Sequence, residues 1–242
     1  MFDILICYDR SVTDAEKRAV EQAARDIRQV AGCNFVFLNG KNWPSDVYRD
    51  ANDIMRRAMR NQRGQIDAGS VLTMLSECLA RWPNSAAMVL FTGEDLAIKG
   101  MNWCFGAARR KAMVTVQSML RYRDLPENIM ADCVARTLRH ELGHIFGCAA
   151  DATRTNTEEN CGTHCTNPGC SMRQAPDLPQ LMHAAMTEDP HGFYCTQCMA
   201  ELRDFQAKYG IVKPRKDAGK DVGKLQAPYG RRGVRPKVYV KI

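Results

Sequence analysis

Residues 140–147 read His140-Glu141-Leu142-Gly143-His144-Ile145-Phe146-Gly147, and the fold follows from what that stretch requires. Two histidines four apart leave one face of a helix one turn apart, where both imidazoles can bind a single zinc ion. Glu141, beside the first, is placed to take a proton from a zinc-activated water. Gly147 ends the helix and lets the chain turn back. The competing reading is a chance His-Glu-x-x-His on an ordinary surface helix, and the flanks decide between the two. No proline interrupts the run from Pro126 to Gly147. Pro126 suits a first turn, and Met130, Cys133, Val134, Leu138, Leu142, Ile145 and Phe146 recur at spacings of three and four. The pattern predicts a largely buried helix over 126–147. Polar groups there are costly unless something satisfies them, and a metal does.

A catalytic zinc site needs a third protein ligand. Asp151 is a carboxylate candidate. The next histidine is His164, beyond a Thr-, Asn- and Glu-rich stretch from Asp151 to Asn160 that reads as a surface loop. His183 and His191, in the loop before Cys195, are alternatives as ligands or substrate contacts, although exposed loop histidines are the plainer reading. The residues after His164 favour it. They run His164-Cys165-Thr166-Asn167-Pro168-Gly169-Cys170-Ser171-Met172, and Tyr194-Cys195-Thr196-Gln197-Cys198 follows later.

With these residues the chain resembles the archaemetzincins, whose signature is similar to H-E-x-x-H-x-x-G-x-x-H-C, then C-x-M, then a distant C-x-x-C. Every element is present and in order. The chain departs from the pattern by a loop inserted between Gly147 and His164 and by a longer gap from Met172 to Cys195. A second region agrees: Thr92-Gly93-Glu94-Asp95-Leu96, Lys99-Gly100-Met101-Asn102, Cys104-Phe105-Gly106-Ala107 and Ala112-Met113-Val114-Thr115-Val116 look like the family's stretch before the active-site helix. The resemblance spans roughly residues 85–210. It implies a metzincin-like α/β (α+β) fold: a twisted mixed sheet with an antiparallel edge strand, an active-site helix, and a small C-terminal subdomain with a four-cysteine zinc site. It implies that His140, His144 and His164 hold the catalytic zinc. Glu141 would be general base and then proton shuttle, and Met172 the Met-turn beneath the imidazoles.

The chain holds eleven cysteines. Cys7, Cys33, Cys78, Cys104 and Cys133 stand singly in apolar surroundings and read as buried reduced thiols. The opening Met1-Phe2-Asp3-Ile4-Leu5-Ile6-Cys7 lacks a basic leader region, and no apolar run is long enough to span a membrane. The expectation is a cytoplasmic protein with no membrane partner, where clustered cysteines favour metal over disulfide. Cys165, Cys170, Cys195 and Cys198 suit a closed tetrahedral zinc site of structural role, with Cys161 a possible replacement ligand. Two Zn2+ ions are therefore expected, one catalytic and one structural.

The remaining sequence frames these sites. Phe2–Cys7, Asn34–Leu38 and Ala87–Phe91 read as strands. Thr13–Val30, Ser45–Arg60, Ala68–Trp82 and Met199–Tyr209 read as helices, and Phe105–Val116 as an antiparallel edge hairpin. This alternation implies a mixed, partly parallel sheet in the N-terminal half. The expected organisation is an N-terminal subdomain over 1–147, a C-terminal subdomain over 148–212 and a basic tail over 213–242. The tail carries ten Lys and Arg against Asp217 and Asp221; its net of +8 against +7 for the whole chain leaves the body nearly neutral. It reads as an extended, solvated arm, with contact to nucleic acid or an acidic partner as the functional alternative. The sequence thus points to a zinc-dependent metallopeptidase acting on peptide or protein substrates. The alternative is a weakly active or inactive zinc-stabilised binding module that works through its tail. The retained Glu141 argues for the enzyme, because a purely structural site has no need of a base.

Overall fold

Strand β1 (Asp3–Tyr8) is apolar on both faces and buried along almost its whole length, the signature of a strand covered from two sides. The computed structural model describes residues 2–39, 42–82, 84–151, 153–159, 162–189 and 192–211; Cys161, His191 and the basic tail lie outside the described residues. After β1 come α1 (Asp14–Ala31), β2 (Asn34–Phe37), α2 (Ala51–Arg57), β3 (Ile66–Asp67), α3 (Ala68–Leu79), β4 (Ala86–Thr92) and β5 (Leu96–Ala97). The second half adds β6 (Gly106–Arg109), β7 (Val114–Ser118), α4 (Glu127–Phe146), β8 (Thr157–Glu159), β9 (Thr163–Cys165), α5 (Leu178–Thr187) and α6 (Thr196–Lys208).

The main sheet runs in the order β2-β1-β4-β7-β6. The first four strands are parallel to their neighbours, and β6 closes one edge antiparallel to β7. The mixed α/β architecture and the antiparallel edge strand are those the sequence implies. Alternation along the strands divides the core in two. Ile4, Ile6, Ala87, Val89 and Phe91 face α1 and α4, whereas Leu5, Cys7, Met88, Leu90, Val114 and Val116 face α2 and α3. Each fully buried aliphatic side chain stabilises this arrangement by roughly 1.5–3 kcal/mol. On α6, Phe205 packs edge-on against Phe2 at 5.0 Å and against Phe146 at 5.1 Å, so the C-terminal helix seals the end of the α4 layer.

Helix α1 starts at a capping box, with Thr13 and Glu16 each bonding the other's backbone N–H, and stops at left-handed Gly32. Four expectations need correction. The helix expected over Ser45–Arg60 is confined to Ala51–Arg57: Ser45 Oγ accepts from the N–H groups of Val47 and Tyr48, which holds a turn, and Asp50 caps the helix instead. The polar stretch Asp151–Asn160 is not all loop, because Thr157–Glu159 pairs antiparallel with Thr163–Cys165. The stretch between Met172 and Cys195 contains α5, capped by Asp177 and helped by Pro179 in its first turn, so His183 lies on a helix. The last helix begins three residues earlier than expected, at Thr196, which puts Cys198 in its first turn. Among the described residues no helix is long and apolar enough to cross a membrane.

Candidate metal centre

Helix α4 carries the centre. Pro126 caps its start, and Gly147, at φ 84, ends it with an N–H bonded back to the Gly143 and His144 carbonyls. Its apolar stripe faces α1 and the sheet, which turns His140 and His144 toward a cleft lined in part by Trp103, Phe105, Arg110, Ala175 and Leu181. The hairpin of β8 and β9 brings His164 to the same place. One ligand atom from each of His140, His144 and His164 lies within 4.8 Å of the others, and the Nε2 atoms of His140 and His144 are 3.2 Å apart.

The chemistry of this donor set suits a metal cation. Burial, reinforced by the neighbouring imidazoles, pushes His140 well below the ordinary histidine range; burial and then His164 push His144 down to about 4. Burial also lowers His164. Three neutral imidazoles therefore converge, each with a lone pair to offer. His140 Nδ1 donates to the Ser171 carbonyl at 2.9 Å, which leaves its Nε2 as the free acceptor. His164 Nδ1 is buried without a hydrogen-bond partner among the described residues, and a metal or an ordered water would relieve that cost.

Glu141 is buried against the edge strand. A Cβ on Gly106 of β6 would sit 2.7 Å from its Oε1, so the glycine makes room for the carboxyl. Burial raises the Glu141 carboxyl to about 8. Met172 is fully buried beneath α4: a Cβ on Gly143 would lie 2.1 Å from its Sδ, so it packs directly on the helix backbone.

The second cluster lies just behind the first. The Sγ atoms of Cys165 and Cys195 are 3.7 Å apart and those of Cys170 and Cys198 are 3.6 Å apart; all four lie within 4.8 Å of one another. A disulfide would bring a pair to about 2.05 Å, whereas four thiolates around zinc at about 2.3 Å lie roughly 3.8 Å apart. Burial holds the Cys165 thiol up at about 11, so a thiolate there calls for a cation. Arg154, from the inserted loop, donates to Cys165 Sγ at 3.3 Å and Cys198 Sγ at 3.4 Å, and pairs with Glu201 at 2.6 Å. Those bonds tether the start of the insertion, whose β8 strand pairs with the strand that carries His164.

Among the other candidates, Asp151 is exposed and bonds Thr153, and His183 is exposed on α5 outside the histidine cluster. Cys161 and His191 lie outside the described residues. Sequence reasoning missed Ser171, whose contribution is a main-chain carbonyl, and Arg154, one polar residue among many in its loop. It also missed Tyr194, whose hydroxyl donates to the Arg139 carbonyl at 2.6 Å and braces α4. Only their placement in the fold marks these three.

No family model matches the chain. An archaemetzincin from Thermococcus kodakarensis is 30% identical over 146 residues, covering 58% of this chain and 67% of that protein. Among solved structures, an archaemetzincin from Methanopyrus kandleri aligns with a TM-score of 0.58 at 21% identity, over 86% of this chain and 96% of its own. A zinc-dependent peptidase from Methanocorpusculum labreanum aligns with a TM-score of 0.58 at 18% identity, over 84% of this chain and all of its own (100%). The structural likenesses establish the architecture. The sequence identity, carried across two thirds of the Thermococcus protein, goes beyond shared architecture: the chain belongs to the archaemetzincin family.

Proposed function

We infer that the protein is a zinc metallopeptidase whose catalytic ion is held by His140, His144 and His164. Zinc bound there supplies Lewis-acid polarisation of a substrate carbonyl and acidification of a water molecule. The chain's own residues do the rest. Glu141, whose ionised form a cation held by the histidines would favour, takes a proton from the attacking water and passes it to the leaving amine; its burial beside Gly106 fixes the direction of the carboxyl. Among the described residues strand β6 bonds β7 on one side only, so its outer edge can accept an extended peptide as a further strand. Ser171 holds His140 through its carbonyl, and Met172 supports the helix from below. The four cysteines hold a second zinc in a closed, structural site, bringing the total to two.

The observation that carries this reading is the convergence of the three imidazoles in one cleft with Glu141. It is supported by the name of the Methanocorpusculum protein, a zinc-dependent peptidase of the same fold. The test is metal content and peptide-library digestion for wild type and Glu141→Ala. The variant is expected to keep both zinc ions while hydrolysis falls by about 10²–10⁴-fold. Undiminished turnover would remove Glu141 from its role.

A further inference from the structure

Behind the histidine cluster lies a buried charged network that the peptidase mechanism does not use. Glu188, directly after α5, is 1% exposed at its side chain. One carboxylate oxygen meets Arg136 at 2.7 Å and the other meets Arg139; the two arginine side chains are 3% and 6% exposed. Both arginines project from α4, Arg139 beside His140 and Arg136 one turn before it. Arg139 is additionally placed over the Phe193 ring at 4.8 Å and 3.7 Å from Asp26.

Glu188 also accepts a hydrogen bond from the Ser171 hydroxyl. Arg136 extends the grip by donating to the Cys170 and Arg173 carbonyls, each at 3.2 Å. The Ser171 N–H donates to the Phe193 carbonyl at 2.7 Å. Every polar group of Ser171 is thereby committed: its N–H to Phe193, its hydroxyl to Glu188, and its carbonyl to His140 Nδ1 at 2.9 Å. Buried ion pairs add little net stability compared with apolar packing, and their best-attested value is in fixing one arrangement among several. Here the arrangement fixed is the turn whose carbonyl orients a metal-ligand histidine.

We propose that Glu188 is a positioning residue for the histidine site: with Arg136 and Arg139 it clamps Ser171 against α4, so that the Ser171 carbonyl holds His140 as its Nδ1–H tautomer with Nε2 aimed at the metal. The inference rests on the three histidines binding zinc. It assigns a task to the stretch between Met172 and Cys195, which is longer than the family pattern and supplies the carboxylate.

The test compares wild type, Glu188→Gln and Ser171→Ala. Glu188→Gln keeps the shape of the side chain but removes the countercharge of Arg136 and leaves Arg139 with Asp26 alone, 3.7 Å away. Ser171→Ala keeps the ion pairs and removes only the link between Glu188 and the turn. Zinc affinity of the histidine site is measured by chelator competition. Cobalt substitution reports the thiolate site through its sulfur-to-metal charge-transfer bands, and nitrogen-15 histidine spectra of the metal-free protein report the His140 tautomer. Glu188→Gln is expected to lower zinc affinity at the histidine site by about 10–100-fold, to leave the thiolate bands in place, and to reduce the Nδ1–H population of His140. Ser171→Ala is expected to move both readouts the same way by less. Unchanged affinity and tautomer in either folded variant overturn the proposal; if Glu188→Gln does not fold, Ser171→Ala decides. Wild-type protein that binds zinc only through its cysteines would instead refute the metal reading, while the metal-free spectra would still judge the clamp.

Discussion

The histidine and cysteine clusters are neighbours built on opposite plans. Three neutral imidazoles meet at the wall of a cleft, with a buried carboxyl alongside and one ring nitrogen unsatisfied among the described residues. The four sulfurs, by contrast, are packed among Arg154, Asn156 and buried backbone, with the spacing of a filled tetrahedron. Three ligands leave a coordination position for water or substrate, whereas four thiolates leave none. The difference teaches how one short segment serves both. His164 and Cys165 are consecutive on β9, and strand alternation sends them to opposite faces, one to each cluster. Cys170, Ser171 and Met172 likewise contribute a thiol, a carbonyl that orients His140, and an apolar support for α4.

This shared backbone couples the clusters, and variants can break the comparison there. Cys198→Ala should cause the largest effect. On the proposed assignment it opens the closed site, whose metal binding would also be folding energy, and loosens the turn that serves the other site. A loss of about 3–5 kcal/mol is expected, which lowers Tm by roughly 10 °C at about 2–4 °C per kcal/mol. Thermal unfolding and metal analysis should show the cysteine-bound zinc gone and the histidine site weakened as well. Unaltered zinc affinity at the histidines would show that the clusters are independent.

Gly106→Ala tests the open site alone and should have the smaller effect. Its new methyl group would lie 2.9 Å from Glu141 Cγ, so the carboxyl must move off the edge strand. Displacing a catalytic group by about 1 Å can lower kcat by about 10²-fold. Both zinc ions and Tm should stay near wild type, as steady-state kinetics with metal analysis would check. Full activity would mean that the position of Glu141 against β6 is immaterial.

How legible these sites are in the sequence depends on where their information is stored. The α4 residues are legible because helical periodicity places His140, Glu141 and His144 together and Gly147 ends the run. The cysteine set is legible from the close pairing of Cys195 with Cys198 and from the His164-Cys165 junction. The β8–β9 hairpin is hidden because Thr157, Glu158 and Glu159 form an exposed polar strand with no hydrophobic alternation to reveal it. Helix α5 is legible too, since Asp177-Leu178-Pro179 is a helix start and Leu181, Met182, Ala185 and Met186 follow at helical spacing, although the expectation for His183 is a loop. The pairing of Glu188 with Arg136 and Arg139 spans about fifty residues and is decided only when α5 docks on α4. Ser171 meets His140 through its main chain, which any residue type would supply, and its hydroxyl finds Glu188 only once α5 has docked.

The measurement that bears most directly on the two-cluster account is the zinc stoichiometry of wild type and His164→Ala, with cobalt spectra to identify the occupied site. The account predicts two zinc ions in wild type. In the variant it predicts one, held by thiolates, with peptide hydrolysis lost. A His164→Ala protein that still binds two zinc ions, or that loses its thiolate-bound zinc while keeping the other, would contradict it.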